Sequence, residues 1–262
     1  MRSCAPTSLG PRQKAEYVVG GLRDSRYFAR KQKNIAPLAR TIKLEFGGTD
    51  LLNPAYDLDV FLRGTRDYVQ GTQLIAESAK LLSHGNYSVK KAAFTSITKK
   101  AVKAAIYSSE RSIDSETIGS VVFADPEGQT VTFGLVAQNS DAPQSDSPFT
   151  FELSLREETD EQCCYDFSNA EAMCDILDAV VQAIKTFIQR QSARHYDIWF
   201  TGIRNLHLPV SSDSIDSSGS ITISKLKVHR NGNLHQSLFR TEVEAEKMGR
   251  LSGFVTFAHK VK

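Results

Sequence analysis

The sequence predicts an α+β fold, with an antiparallel sheet or sheets covered by two or three helices and a basic N-terminal arm. Three observations carry this. Residues 170–193 repeat apolar side chains at helical spacing, while several shorter stretches alternate apolar and polar residues and meet at Pro/Gly or Asn-Gly turns. The element order is strand, helices, strands, helix, strands, which is not the alternation of a parallel βαβ protein. With 262 residues, 40% of them hydrophobic and 24% charged, the chain is long enough to build its own core.

Residues 1–40 hold Pro6, Gly10, Pro11, Gly20, Gly21 and Pro37 among scattered basic residues. They read as an arm or linker with a short helix near 22–33. Residues 41–262 read as one α+β domain, with a weaker subdivision near 110 or 210 as the alternative. Residues 40–46 alternate as a strand, closed by Gly47 and Gly48. Leu58, Phe61, Tyr68, Ile75 and Leu82 then recur at about 3.5 residues, predicting a helix over 57–83 with Gly64 and Gly71 on one face. Residues 89–110 are rich in Ala and read as a second helix.

The middle of the chain turns to strands. Residues 121–124 and 130–137 flank Asp125-Pro126-Glu127-Gly128, a hairpin signal. Residues 149–155 alternate and are expected to complete a three-stranded meander. The helix over 170–193 carries the stripe Met173, Ile176, Leu177, Val180, Val181, Ile184, Phe187 and Ile188, with Ser168 and Glu171 as a capping box. Strands follow over 196–203, 220–229, 234–244 and 251–261, with Asn231-Gly232 turning the second into the third.

Charge is sorted along the chain. Residues 1–43 carry net +8, residues 105–220 carry −13 and residues 221–262 carry +5, although the whole chain is only +2. Such sorting lets a basic arm dock on an acidic surface or on a polyanion. Within the arm, Arg23, Arg26, Arg30, Lys31 and Lys33 interleave with Tyr27 and Phe28, so cations meet phosphates while rings stack on bases. Lys90, Lys91, Lys99, Lys100 and Lys103 add a basic face to the second helix.

Catalytic signatures are missing. The sequence holds no phosphate loop of the G-x-x-x-x-G-K type, no dinucleotide G-x-G-x-x-G, no G-x-S-x-G and no H-E-x-x-H. Cys163 and Cys164 are adjacent, and Cys174 and His195 sit at opposite ends of one helix, so no metal site is expected. His229 and His235 flank a turn, and His195 lies two residues from Asp197; both pairs read as surface polar residues. Glu157, Glu158, Asp160 and Glu161 read as a solvated loop. No cofactor is implied.

The reading these features favour is a soluble interaction or assembly protein that acts by binding, not catalysis. Its arm docks on an acidic protein partner or on another copy in a homo-oligomer. The alternative is nucleic-acid binding by the arm and the Lys90 to Lys103 helix. The third is a hydrolase or nuclease without a short motif, which a pocket lined by convergent polar groups would reveal. No apolar run approaches the roughly 18–20 residues of a membrane span, residues 1–19 lack the apolar stretch of a secretory signal, and four cysteines suit a cytoplasmic protein.

Overall fold

Strand pairing dominates the architecture. The computed structural model describes residues 55–64, 66–82, 86–107, 117–146, 149, 151–191, 196–209, 217–246 and 248–261. In chain order they form β1 (Ala55–Asp57), β2 (Leu62–Arg63), α1 (Gly71–Lys80), β3 (Ser88–Phe94), β4 (Lys100–Tyr107), β5 (Thr117–Ala124), β6 (Thr130–Asp141) and β7 (Gln144–Ser145). There follow β8 (Glu152–Glu158), β9 (Gln162–Ala170), α2 (Met173–Arg190), β10 (Tyr196–Pro209), β11 (Ser217–Asn231), β12 (Leu234–Ala245) and β13 (Gly249–Val261). Eleven strands make one antiparallel sheet in the order β1-β4-β6-β5-β3-β10-β13-β12-β11-β9-β8, while β2 and β7 pair in parallel.

The sheet has two parts, joined where β3 runs antiparallel to β10. Each contains one helix, followed in the chain by a strand at the seam: α1 leads to β3, and α2 to β10. Helix α1 touches β5 and β10, α2 touches β8, β9, β10 and β11, and the helices touch each other. This corrects the expected helix-covered α+β sheet: the described fold is mostly antiparallel strand, with two helices.

Helix α2 fits the sequence reading best. Ile176, Leu177, Ala179, Ala183, Ile184 and Phe187 are fully buried, and Phe187 meets Phe239 of β12 edge-on at 6.3 Å. Its start differs from the expected capping box. The helix begins at Met173, and the Asp175 carboxylate reaches back to accept the N–H groups of Glu171 and Ala172 at 3.0 and 2.9 Å. Ser168 is instead in β9, a strand that pairs with both β8 and β11; of the expected acidic loop, Glu157 and Glu158 end β8, while Asp160 and Glu161 lie in the turn between β8 and β9. Strand β8 therefore lies at the far edge of the sheet and is not part of a meander with β5 and β6.

The two other expected helices do not form as such. Over 57–83 only Gly71–Lys80 is helical. Gly64 sits at φ +59, a left-handed conformation that halts a right-handed helix and that glycine adopts without strain. Residues before it are held to strands by backbone bonds, such as Leu58 N–H to Val102 O at 3.0 Å and Leu62 N–H to Pro143 O at 2.8 Å. Over 89–110, Ala92, Val102 and Ala104 are buried in β3 and β4 with exposed or half-buried neighbours between them. Burial on a pleated surface overrides the helix preference of alanine.

The hairpins are as expected. Strands β5 and β6 pair across Asp125–Gly128, where Gly128 N–H bonds Asp125 O at 3.0 Å, and β11 and β12 pair across Asn231 and Gly232. The strand expected over 40–46 lies outside the described residues. Among the described residues, no helix is long and apolar enough to cross a membrane.

Candidate functional site

Helix α1 starts without a cap. Gln70 at its N-cap position is extended, with φ −78 and ψ 137; it makes no side-chain cap bond, and the first turn holds no acidic residue. The first N–H groups of a helix have no acceptor inside it, so Gly71 and Thr72 present a cluster of donors at the positive end of the helix dipole. Gln70 is 6% exposed, and its Nε2 has no partner among the described residues. A buried amide N–H without a protein partner is costly unless another acceptor reaches it.

These donors line a pocket. Its interior is about 40 Å³, room for about three water-sized groups. Val69, Leu74, Ile118 and Val181 form apolar walls beside the rings of Phe94, Trp199 and Phe200, with Ile97, Ser96 and Thr98 also on the lining. Phe94 of β3 and Phe200 of β10 stand 5.5 Å apart across the seam. A Cβ at Gly71 would lie 2.7 Å from the Phe94 ring and 2.9 Å from the Phe200 ring, so a side chain there would force those rings to shift. The backbone at the start of α1 thus approaches the seam closely.

Helix α2 brings charge to the same place. Lys185 lines the pocket with Tyr68, and its Nζ donates to the Tyr68 hydroxyl at 3.4 Å. Burial, aided by the positive charge of Arg66, pulls the Lys185 amine down to about 8. Two turns earlier, Asp178 is 3% exposed and accepts hydrogen bonds from the Thr72 hydroxyl and from Arg63 Nη1, the latter at 2.9 Å. Burial pushes the Asp178 carboxyl above the usual range, against the pull of Thr72 and Arg63. Arg63 also lies over the Phe149 ring at 4.7 Å. The chain of contacts therefore runs from the pocket through Thr72 to Asp178 and Arg63.

Cys174, one turn before Asp178, is held as a thiol: burial and the charges of Asp175 and Asp178 push it up to about 11. It is no thiolate nucleophile at neutral pH. A second polar group lies elsewhere, where Ser237 and His259 Nε2 are 2.8 Å apart, both buried. Among the described residues, no group of three or more His, Cys, Asp or Glu is placed to hold a metal.

None of the expected binding residues that the structure describes lines this pocket. Arg23, Arg26, Tyr27, Phe28, Arg30, Lys31 and Lys33 lie outside the described residues. Lys90 and Lys91 are exposed on β3, not on a helix. Lys99 and Lys100 both face Asp141, at 3.6 and 2.7 Å, and Lys103 faces Asp57 at 3.6 Å. His235 pairs in register with Arg230 and with His259, so it does not face His229. The acidic middle is partly neutralised within the sheet, with Asp166 on Arg156, Glu158 on Arg190 and Glu161 on Lys225.

What the sequence reading missed is Arg63, Gln70, Thr72, Asp178 and Lys185. One signal was available. Asp178 and Lys185 interrupt the buried side of an apolar helix at seven-residue spacing, where a purely structural helix carries apolar residues.

No family model matches the chain, and no curated protein matches it by sequence. Solved structures match it in part. A putative thioesterase II from Thermobifida fusca YX is 11% identical with a TM-score of 0.47, covering 80% of this chain and 92% of that one. A conserved protein of unknown function with a hot dog fold from Alicyclobacillus acidocaldarius is 12% identical with a TM-score of 0.46, covering 82% and 95%. The dehydratase domain of PpsC from Mycobacterium tuberculosis is 9% identical with a TM-score of 0.42, covering 80% and 93%. Against the expected assembly protein stand two findings: the neighbours include proteins named as a thioesterase and a dehydratase, and the described residues form an apolar pocket with polar groups on its lining.

Proposed function

We propose that the protein is an enzyme acting on a small carbonyl group, or on the carbonyl head of a longer molecule, held in the pocket at the start of α1. The observation that carries this reading is the uncapped first turn of α1 beside the buried, unpartnered amide of Gln70. All of these are donors, and a carbonyl oxygen supplies the acceptor they lack. Such donors also stabilise negative charge that develops on that oxygen during reaction. The apolar walls take the carbon substituents, and Lys185 with Tyr68 supplies a proton-transfer pair whose amine is poised near neutral pH. The three described cysteines are free, which suits the reducing cytoplasm.

Trp199 is the chain's only tryptophan and lines the pocket, so its fluorescence reports on ligand entry. Propanamide, an unreactive carbonyl compound whose three-atom amide head matches the interior, is expected to change that emission saturably. Gln70→Leu should weaken the binding several-fold. Unchanged emission at all concentrations would remove the carbonyl site.

A further inference from the structure

From Lys185 we infer that this site forms a covalent imine with its substrate, which makes the substrate an aldehyde or ketone and not an ester or thioester. The inference rests on the carbonyl pocket proposed above. Its ground is placement: a half-buried primary amine on a lining shared with Val69, Val181, Phe94, Trp199 and Phe200, hydrogen-bonded to a phenol, with no ion pair to a carboxylate among the described residues. A lysine kept for structure commonly pairs its ammonium with an acid. Lys185 instead turns to the Tyr68 hydroxyl beside an apolar pocket. The charged groups around it are Arg66, which disfavours the ammonium, and Asp178, which favours it but is already bonded to Thr72 and Arg63. Burial is the largest influence, and the amine held near 8 is in part free base at neutral pH.

The step balances within the pocket. The neutral Lys185 amine attacks the carbonyl carbon, forming an Nζ–C bond as the C–O π pair moves onto oxygen. The uncapped N–H groups of Gly71 and Thr72 stabilise that oxygen, which takes a proton as nitrogen loses one. The Tyr68 hydroxyl, 3.4 Å from Nζ, is placed to pass it. The nitrogen lone pair then expels the hydroxyl, which takes a second proton from the Tyr68 phenol and leaves as water; the resulting iminium returns its remaining N–H proton to the phenolate, leaving a neutral Nζ=C bond. One water is released and nothing is oxidised or reduced. An ester or thioester attacked in the same way would acylate the lysine as a stable amide and end turnover, so the chemistry selects aldehydes and ketones. The interior has room for about three water-sized groups, so a short carbonyl compound is enclosed whole, while a longer one extends past the lining.

Trapping tests this. The intact protein is incubated with propanal and cyanoborohydride, which reduces an imine to a stable propyl amine, and the product is mapped by peptide mass spectrometry. The expected result is one propyl group on Lys185, added at least roughly tenfold faster than on the exposed Lys90 and Lys91, with a rate that rises through about pH 8. Tyr68→Phe should slow the addition, and Lys185→Met should abolish it while the melting transition stays cooperative. Labelling of Lys185 no faster than of Lys90 and Lys91 would overturn the imine. So would no labelling: if propanamide still binds, the imine alone falls and the carbonyl pocket stands; if it does not, both fall.

Discussion

The two helices occupy comparable places, each leading into a seam strand, yet they obey opposite rules. Helix α2 has 18 residues, a carboxylate closing its first turn and fully buried apolar positions over its length. Helix α1 has 10 residues, no cap and no first-turn acid, with a buried glutamine amide left without a partner beside it. Local stability rules are satisfied in α2 and set aside at the start of α1. Where a fold sets such rules aside, the groups left unpaired mark a functional site. Helix α2 is thus built for packing, whereas the start of α1, together with the two polar residues α2 turns toward it, is the place proposed above for the reaction.

The comparison breaks most sharply at the α2 core. Ile184→Asp puts an unpaired charge at a fully buried position and is expected to cost about 5 kcal/mol, enough to abolish cooperative unfolding. An unchanged melting temperature would show that α2 is not the structural helix.

Next in size is the buried ion pair between the halves. Asp178→Ala leaves Arg63 without its carboxylate, where the two side chains are 3% and 14% exposed. Loss of one partner of a buried pair costs about 3–5 kcal/mol, and urea denaturation measures it. A cost below about 1 kcal/mol would mean that Asp178 does not tie α2 to the segment before α1.

Lys185 should behave in the opposite sense. Its amine lies at about 8, below the ordinary 10.5, so the folded protein binds fewer protons than the unfolded chain between those values. The cost of holding the ammonium is therefore full below about pH 8 and fades as pH rises toward 10.5. Lys185→Met is expected to stabilise the protein by about 1–3 kcal/mol at pH 7, with the gain vanishing near pH 10.5, while function is lost. A destabilised variant would make Lys185 structural.

A similar linkage operates away from the site. Burial, and then the neighbouring His235, pull His259 down from 6.5 to about 4. Stability from its neutral form is present above pH 6.5 and lost as pH falls toward 4. His259→Gln should flatten that slope by about 1–2 kcal/mol, measured as the difference between the two proteins' thermal stabilities over the interval. Identical slopes would contradict the burial of His259.

How much of this was legible beforehand differs between the same two regions. The stripe from Met173 to Ile188 announced α2, and Asn231-Gly232 and Asp125–Gly128 announced two hairpins, because in each the local pattern and the tertiary demand agree. The segment over 57–83 misled because Leu58, Phe61 and Tyr68 keep a helical period while the backbone of Leu58 and Leu62 bonds Val102 and Pro143, a demand set by residues far along the chain. Alanines in β3 and β4 misled in the same way, since their small side chains suit a crowded sheet as well as a helix. The site was the least legible part. Gln70, Thr72, Asp178 and Lys185 form no motif and come together only through the packing of α1 on α2. The charge runs drew attention to Lys99, Lys100 and Lys103, which face Asp141 and Asp57 instead of a ligand.

If the open start of α1 binds a carbonyl oxygen, filling that opening abolishes the binding. Gln70→Asp places a carboxylate at the N-cap, where it accepts the first-turn N–H groups. Propanamide is expected to shift the backbone amide resonances of Gly71 and Thr72 in the parent protein, with one dissociation constant. In the variant the helix gains about 1 kcal/mol of stability and those shifts disappear. Propanamide binding that leaves the Gly71 and Thr72 amides unmoved in the parent, or that survives unchanged in the capped variant, would contradict carbonyl binding at this opening.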